Sequence, residues 1–526
     1  MIYEDYMATA DGAIPLLVGV TGHRDVAEPH VDAARDLVTQ RLQQLARDYP
    51  HTPIVVLSPL AEGADRIVAE AALALHLELV VPLPVSLEQY RRDFTAPESL
   101  EAFDALLAQA KASFVVPTPS GPVGEDERYT ELGAFIARTS DLLIALWDGM
   151  PSRGAGGTAD VVDARIANTE PIDWIIVSRN GSANVEQHIS HSHHMPEPST
   201  WSRVDEFNRD AARDFPSQPR PSLFAIADEL AMRFHAEQNR ALDCTFACIA
   251  AAVFAIEGYE LDVSLGPGTG MPSIVFLIAN VISFAAAFFV VAYARSKRFE
   301  SKSQDYRALS EALRIQRFWN ALDLGGDLGA LYERKHEVEL EWVRKALRSS
   351  SRYDVWRGER RGRTVQHWVE RARDACEAWV EDQERFFNRA KKRDEAKVQR
   401  AHRASGLLIL AVSILTLALI VNEIAPAPVH DVREIILFLI SVFAAVSALI
   451  HGYADKSAWA YHAREYARMS ELYRSAGKEL AAMLKPESQE PEAARALFRS
   501  LAREALSENA DWLLAHRERP IEMPDT

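Results

Sequence analysis

Cysteine is scarce, with only Cys244, Cys248 and Cys376 in 526 residues. Three thiols at these spacings build neither a disulfide framework nor a metal cage, and a reducing, cytosol-facing protein fits them. Cys244 and Cys248 stand one helical turn apart on an apolar segment and are expected as small buried residues without chemistry. Positive charge is also in deficit. Asp and Glu outnumber Lys and Arg by 75 to 58, a net charge of -17, which argues against a nucleic-acid coat needing a basic stripe to displace phosphate counterions. The opening MIYEDYMATADG has no basic stretch followed by an apolar run. No secretory signal is therefore expected, and membrane segments must direct insertion themselves.

Such segments are present. Residues 273–293, 406–421 and 435–453 contain no Asp, Glu, Lys or Arg and are bounded by charged residues, as spanning helices are. The weaker run 244–256 aligns with the run beginning near Ala404 at the offset of 160 that also brings Tyr293-Ala294 onto Tyr453-Ala454. The same shift lays Asp305, Tyr306, Ser310, Glu311 and Arg314 on Glu465, Tyr466, Ser470, Glu471 and Arg474. A two-helix membrane unit has been duplicated. Arg295, Lys297, Arg298 and Lys302 follow the second run and Lys391, Lys392, Arg393, Lys397, Arg400 and Arg403 precede the third, whereas loops 257–271 and 422–434 hold only Arg433 from the Lys/Arg set. Both termini and the central segment are therefore expected on the cytoplasmic side of an inner membrane, in a multi-pass arrangement. Asn280 is the clear polar residue at membrane depth. Residues 228–240 and 385–403 read as helices continuing into the first and third spans, and 349–352 and Gly325-Gly326 as turns.

The first part of the chain has a different pattern. Short apolar runs at 15–20, 53–57, 79–83, 113–116 and 141–147 alternate with helical periodicity, which predicts an α/β fold with a parallel, Rossmann-like sheet covered on both faces. In such sheets ligands sit beyond the carboxyl ends of the strands, where glycine turns let amides approach phosphate. Three turns lie there. The first holds Thr21, Gly22, His23 and Arg24, and the second Glu62, Gly63 and Asp65. The third and richest holds Asp148, Gly149, Arg153, Gly154, Gly156, Gly157 and Thr158, in which Arg153 and Thr158 add a cation and a hydroxyl to the amides. Together these are the candidate nucleotide-binding residues. His188, His191, His193 and His194 read as a solvated loop, and no metal or resident cofactor is expected.

Gly22-His23-Arg24, the run 61–66, the stretch from Val81 to Phe94 and above all 141–147 leading into Gly156-Gly157-Thr158 resemble the SLOG superfamily of Rossmann-like nucleotide-binding domains, over about residues 14–180. From 228 to about 485 the repeated hairpin with its trailing Tyr-x-x-x-Ser-Glu helix is similar to the SLATT group of two-transmembrane effectors, here in tandem. The resemblance implies a sensor that responds to a nucleotide by forming a pore, in bacterial antiphage or conflict defence. The hydrolase branch of the superfamily carries a glutamate after its Gly-Thr, and that position is Val161 here, with Asp160 adjacent but about 100° round the helix. Sensing is therefore favoured over hydrolysis, with His23, Asp65 and Asp148 left as acid/base candidates for an anchored phosphoribohydrolase.

The expected organisation is a nucleotide-binding domain at 1–200, a linker at 201–227, a two-span unit at 228–320, a cytosolic helical segment at 321–384, a second two-span unit at 385–485 and a helical tail at 486–526. The all-α membrane region is thus expected to hold four transmembrane helices. A nucleotide messenger or metabolite, the lipid bilayer and further copies of the same chain are the expected partners, and nucleic acid is not.

Overall fold

The computed structural model describes residues 12–117, 124–151, 157–168, 170–177, 186–190, 198–217, 220–265, 273–325, 328–331, 337–356, 365–425, 428–485 and 490–517. The chain forms two compact units: Met1–Ile226 with Asp327–Gly362, and Ala227–Gly326 with Arg363–Thr526.

The first unit is an α/β domain. Its elements are β1 (Leu16–Gly22), α1 (Glu28–Asp48), β2 (Ile54–Leu57), α2 (Ala64–Ala74), β3 (Glu78–Leu83), α3 (Leu87–Tyr90), α4 (Pro97–Leu107), β4 (Ala112–Val115), α5 (Glu125–Thr139), β5 (Leu142–Trp147), α6 (Thr158–Ala167), β6 (Ile172–Ile176), β7 (Glu186–Ser190) and α7 (Pro198–Asp214). The sheet order is β4-β3-β2-β1-β5-β6-β7, parallel except for β7, which runs antiparallel to β6. All four residues of β2 and all six of β5 are buried, as the two-sided cover of a parallel sheet demands. The chain moves outward from β1 to β4 and then returns to the other side of β1 with β5, so the sheet reverses between β1 and β5. Two strands go beyond the five expected. In β6 the apolar run is broken by Asp173, a buried carboxylate that receives Arg41 of α1. His188 lies in β7 and not in a loop, while His191, His193 and His194 fall outside the described residues.

Two expectations about connecting segments are corrected. Residues 198–214, placed mostly in a linker because of their polar composition, form α7, whose buried face of Trp201, Val204, Phe207 and Ala211 recurs at helical spacing. Its polar residues are used internally: Asn208 accepts the Ile14 N–H at 2.9 Å and donates to the Ile14 carbonyl at 3.0 Å, and Asp205 takes the His51 N–H and the Thr52 hydroxyl. The second correction concerns α11 (Glu337–Trp356), which runs through the turn expected at 349–352 and belongs to the first unit, not to an interhairpin segment of its own. Trp342 of α11 packs 6.4 Å from Phe207, and Lys345 is buried.

The second unit is all-α: α8 (Leu223–Leu265, its first turn counted with the α/β unit), α9 (Ser273–Ser296), α10 (Phe299–Ala321), α12 (Val365–Ala375), α13 (Asp382–Ile424), α14 (His430–Lys456), α15 (Trp459–Met483) and α16 (Pro491–Arg517). Among the described residues, four of its helical stretches are long and apolar enough to cross a membrane. Their apolar side chains are largely uncovered, with Val281, Phe289 and Leu407 each more than 60% exposed. This makes the chain a membrane protein, because no aqueous surface carries so much contiguous hydrocarbon. Helix α8 continues through the expected loop to Leu265, and Cys244 and Cys248, expected as buried, are exposed and half-buried on it. Asn280 donates to the Ala252 carbonyl at 2.8 Å, joining α9 to α8.

The duplication shows in the backbone. Arg298, between α9 and α10, is left-handed at φ 55°, and Ala458, between α14 and α15, at φ 53°. Around Arg298 the bonds Lys297 N–H to Tyr293, Arg298 N–H to Arg295 and Lys302 N–H to Arg298 recur around Ala458 as Ser457 to Tyr453, Ala458 to Asp455 and His462 to Ala458. Helices α10 and α15 then bury Tyr306 and Ser310, and Tyr466 and Ser470, in step. Away from the spans, Trp379 stacks between Phe318 and Phe498 at 5.4 and 6.1 Å, and the Trp368 indole donates to the Leu322 carbonyl.

Removal of the Asn208 amide by Asn208→Ala leaves both backbone groups of Ile14 buried without this partner, and a loss of about 3 kcal/mol is expected from burying them unpaired. Urea unfolding of the α/β unit within the full chain, followed by intrinsic fluorescence, measures it.

Candidate functional site

The carboxyl ends of β1 and β5 open onto a cleft of about 400 Å³, at the point where the strand order reverses. That is where an open parallel sheet leaves a crevice between diverging connections, and the volume suits a small organic ligand. Thr21, Gly22, His23 and Arg24 line it from the end of β1, Pro59, Ala61 and Asp65 from the β2 side, Trp147, Met150 and Pro151 from the end of β5, and Gly157, Thr158, Ala159 and Val161 from α6. Tyr90 from α3 and Tyr129, Leu132 and Ile136 from α5 complete the wall.

The glycines of the first two turns serve packing. A Cβ on Gly22 would stand 2.3 Å from the Ala64 Cβ and 2.6 Å from the Leu146 carbonyl oxygen. Gly63 has φ +73°, and a Cβ there would lie 2.3 Å from the His23 oxygen. Their bare backbones let α2 abut the β1 turn, where the Ala64 N–H donates to the His23 carbonyl at 2.9 Å. One N–H at the start of α2 is thus taken by protein. The start of α6 differs: Gly157 is its N-cap in an extended conformation, and the first turn of a helix holds N–H groups with no intrahelical partner. Gly157 and Thr158 line the cleft, so the partial positive charge of that terminus faces it.

The other sequence-selected residues are divided. His23 is buried, its Nε2 2.9 Å from Asp148 Oδ1 and 3.0 Å from the Asp148 amide nitrogen. The neutral ring with its proton on Nδ1 accepts from that amide, and the protonated ring donates to the carboxylate. Asp148 also accepts the Met150 N–H, and Gly149 takes φ +77° against Trp174. Trp174 stacks on Trp147 at 5.1 Å and donates to its carbonyl, which holds the β5 end in place. Glu62 turns to the Ser99 hydroxyl, which Arg66 also contacts. Arg153, Gly154 and Gly156 lie outside the described residues. Asp160 is exposed and Val161 is buried against the cleft, so the helix face toward the cavity carries an apolar residue at the position next to the acid.

Electrostatically the cleft is mixed. Burial pushes the Asp65 carboxyl up to about 7, against the opposing pull of Arg24 and of the Ala61 N–H. Burial likewise raises the Tyr90 phenol and keeps it protonated. Near neutrality the site therefore offers the Arg24 cation, hydroxyl donors and a helix terminus, with an acid able to act as donor or acceptor. The aromatic wall of Tyr90, Tyr129 and Trp147 was not selected from the sequence. Its signal was the Tyr90-Arg-Arg-Asp93-Phe94 run, in which Asp93 receives the Tyr129 hydroxyl and Arg66 lies over Phe94.

Asp65 also generates a pH dependence. Its folded value near 7 lies above the ordinary 3.8, so the folded state holds a proton that the unfolded chain has released. Stability from this group is fully present below about pH 4, declines as pH rises toward about 7 and is level above, with a slope of at most about 1.4 kcal/mol per pH unit. Urea midpoints from about pH 5 to about pH 8 should show this decline in the wild type and lose its Asp65 part in Asp65→Asn.

Comparison of the sequence with protein-family models and with curated proteins finds no match. Among solved structures, DNA processing protein A (DprA) from Streptococcus pneumoniae is similar at 14% identity and a TM-score of 0.23, over 32% of this chain and 52% of that one. The chain thus spans about half the length of that protein.

Proposed function

We propose that this protein is a nucleotide-responsive membrane effector, in which a nucleotide or nucleotide-derived signal occupies the cleft of the α/β unit and the four apolar helices respond by forming or opening a pore. The observation that carries the reading is the phosphate-compatible α6 terminus, set among a cation and aromatic walls at the sheet's reversal point, in a chain with four membrane-crossing helices. The resemblance to SLOG sensors and SLATT effectors supports the same reading and suggests a role in bacterial antiphage defence. The basic flanks, Arg295 to Lys302 and Lys391 to Arg403, favour an inner-membrane protein with both termini cytoplasmic. Pore formation by several copies fits helices whose apolar faces are uncovered in the single chain.

A ligand shifts such an equilibrium only by binding one state better. Moving a population from about 1% to about 99% open needs roughly 5.5 kcal/mol of differential binding. Assembly of several copies lowers the share required of each cleft.

A second reading, a membrane-anchored nucleotide hydrolase, draws on His23, Asp148 and the raised Asp65 around one cavity. Such groups are acid/base candidates when they share a cleft. Val161, at the position of the hydrolases' glutamate, favours sensing.

Reconstitution in liposomes with dye-release detection separates the readings. AMP, ATP, cyclic AMP and ADP-ribose are added in turn, with Gly157→Val as control. Gly157 has φ −73° and ψ 175°, an extended backbone conformation open to any residue, and it lines the cleft, so valine there is expected to oppose close approach of a phosphate. Release triggered by one nucleotide, and reduced about tenfold or more in Gly157→Val, is the expected outcome. Absence of release together with nucleotide breakdown moves the assignment to the hydrolase.

A further inference from the structure

Segment 337–356 is inserted in the chain between the two membrane hairpins, yet α11 is part of the α/β unit. Its Lys345 is buried there. The Lys345 ammonium meets Asp141 Oδ1 at 3.0 Å, with both side chains less than 10% exposed, and lies over the Trp201 ring. Asp141 immediately precedes β5. Its other carboxylate oxygen accepts the Leu17 N–H of β1 at 3.0 Å, and its own N–H donates to the Leu17 carbonyl at 2.7 Å. One carboxylate thus joins the feet of β1 and β5 to the inserted helix.

Those two strands are the pair whose opposite ends form the cleft, roughly 20 Å away at about 3.3 Å per residue. A second element makes the same journey. Helix α6 begins at the cleft with Thr158 and, near its other end, Arg165 donates to the carbonyls of Ala137 and Ser140, both at 2.8 Å, and to that of Asp141 at 3.4 Å. Both walls of the cleft therefore end on one buried corner, 137–141, and Lys345 plugs that corner. Because one charge of a buried pair is costly to leave alone, displacement of the corner away from Lys345 is opposed.

We infer that Lys345 is a positioning residue that couples occupancy of the cleft to the inserted segment, and through the chain on either side of it to both membrane hairpins. This rests on the proposed function for its biological meaning, but the linkage between corner and cleft is measurable by itself. Energetic coupling between two places is carried by the packed side chains and rigid elements that they share when these have two discrete arrangements.

Hydrogen exchange on the full-length protein in lipid nanodiscs tests it, comparing wild type with Lys345→Met, Lys345→Arg and Asp141→Asn. Lys345→Met should raise exchange about tenfold at the cleft end, in amides 20–25 and 157–161, and not only around 137–141; Lys345→Arg should restore much of the protection. In the dye-release assay with the nucleotide active on wild type, Lys345→Met should respond about tenfold less while binding that nucleotide nearly unchanged by titration calorimetry. Exchange changes confined to α11 and 137–141 overturn the coupling, as does an unaltered release response. Global unfolding of Lys345→Met would leave the decision to Asp141→Asn, which keeps the side-chain shape: cleft-end protection equal to wild type in that variant also overturns it. Failure of wild type to release dye counts against the pore alone, because the exchange comparison uses no ligand.

Discussion

The approach of α2 to the end of β1 is the constraint on which the rest of the α/β unit depends. Gly63 lies against the backbone of His23 and Arg24, Gly22 lies against Ala64 and Leu146, the Ala64 N–H closes onto the His23 carbonyl, and a side chain fits at neither glycine. The Ala64 N–H is taken by the protein, whereas the start of α6 lines the cavity. His23 is carried by the same turn into contact with Asp148, so the β1 and β5 ends are tied across the reversal point of the sheet. The cleft is therefore a product of topology, set where the strand order reverses.

Much of this was legible in the sequence because buried parallel strands are continuous apolar runs and spanning helices lack charge. Five of the seven strands among the described residues and three of the four membrane segments follow from those two rules, and the fourth segment, 244–256, follows from its alignment with the run beginning near Ala404. Strand β6 escaped because Asp173 interrupts its run, and the tertiary position of Arg41 helps to make a buried acid tolerable there. Helix α7 escaped for a related reason: Asn208 and Asp205 read as linker chemistry until their partners, the backbone of Ile14 and His51, are known. The allegiance of α11 to the α/β unit has no local signature, since an amphipathic helix does not say which apolar face it will cover.

The candidate site was legible in outline, and the structure gives two of its glycines a packing role that the sequence did not announce. The glycine turns do mark the strand ends, yet a glycine needed for close packing and one needed for close approach of phosphate look alike in a sequence. Gly22 and Gly63 are the first kind. The aromatic side of the cleft, Tyr90 and Tyr129, comes from α3 and α5 beyond the edge of any short motif. Burial alone gives Asp65 its unusual acidity, and burial cannot be read from the run Ala61 to Arg66.

The matched left-handed breaks at Arg298 and Ala458 show that both hairpins keep one design. A repeat with an even number of spans returns the chain to the side from which it started, so duplication preserves sidedness and the copies are parallel, not inverted. In the proposed pore, a ring of hairpins built from such chains would need half as many subunits as one built from single-hairpin chains. It also carries one cleft for every two hairpins, so each occupied cleft would bear on twice the length of the ring's circumference.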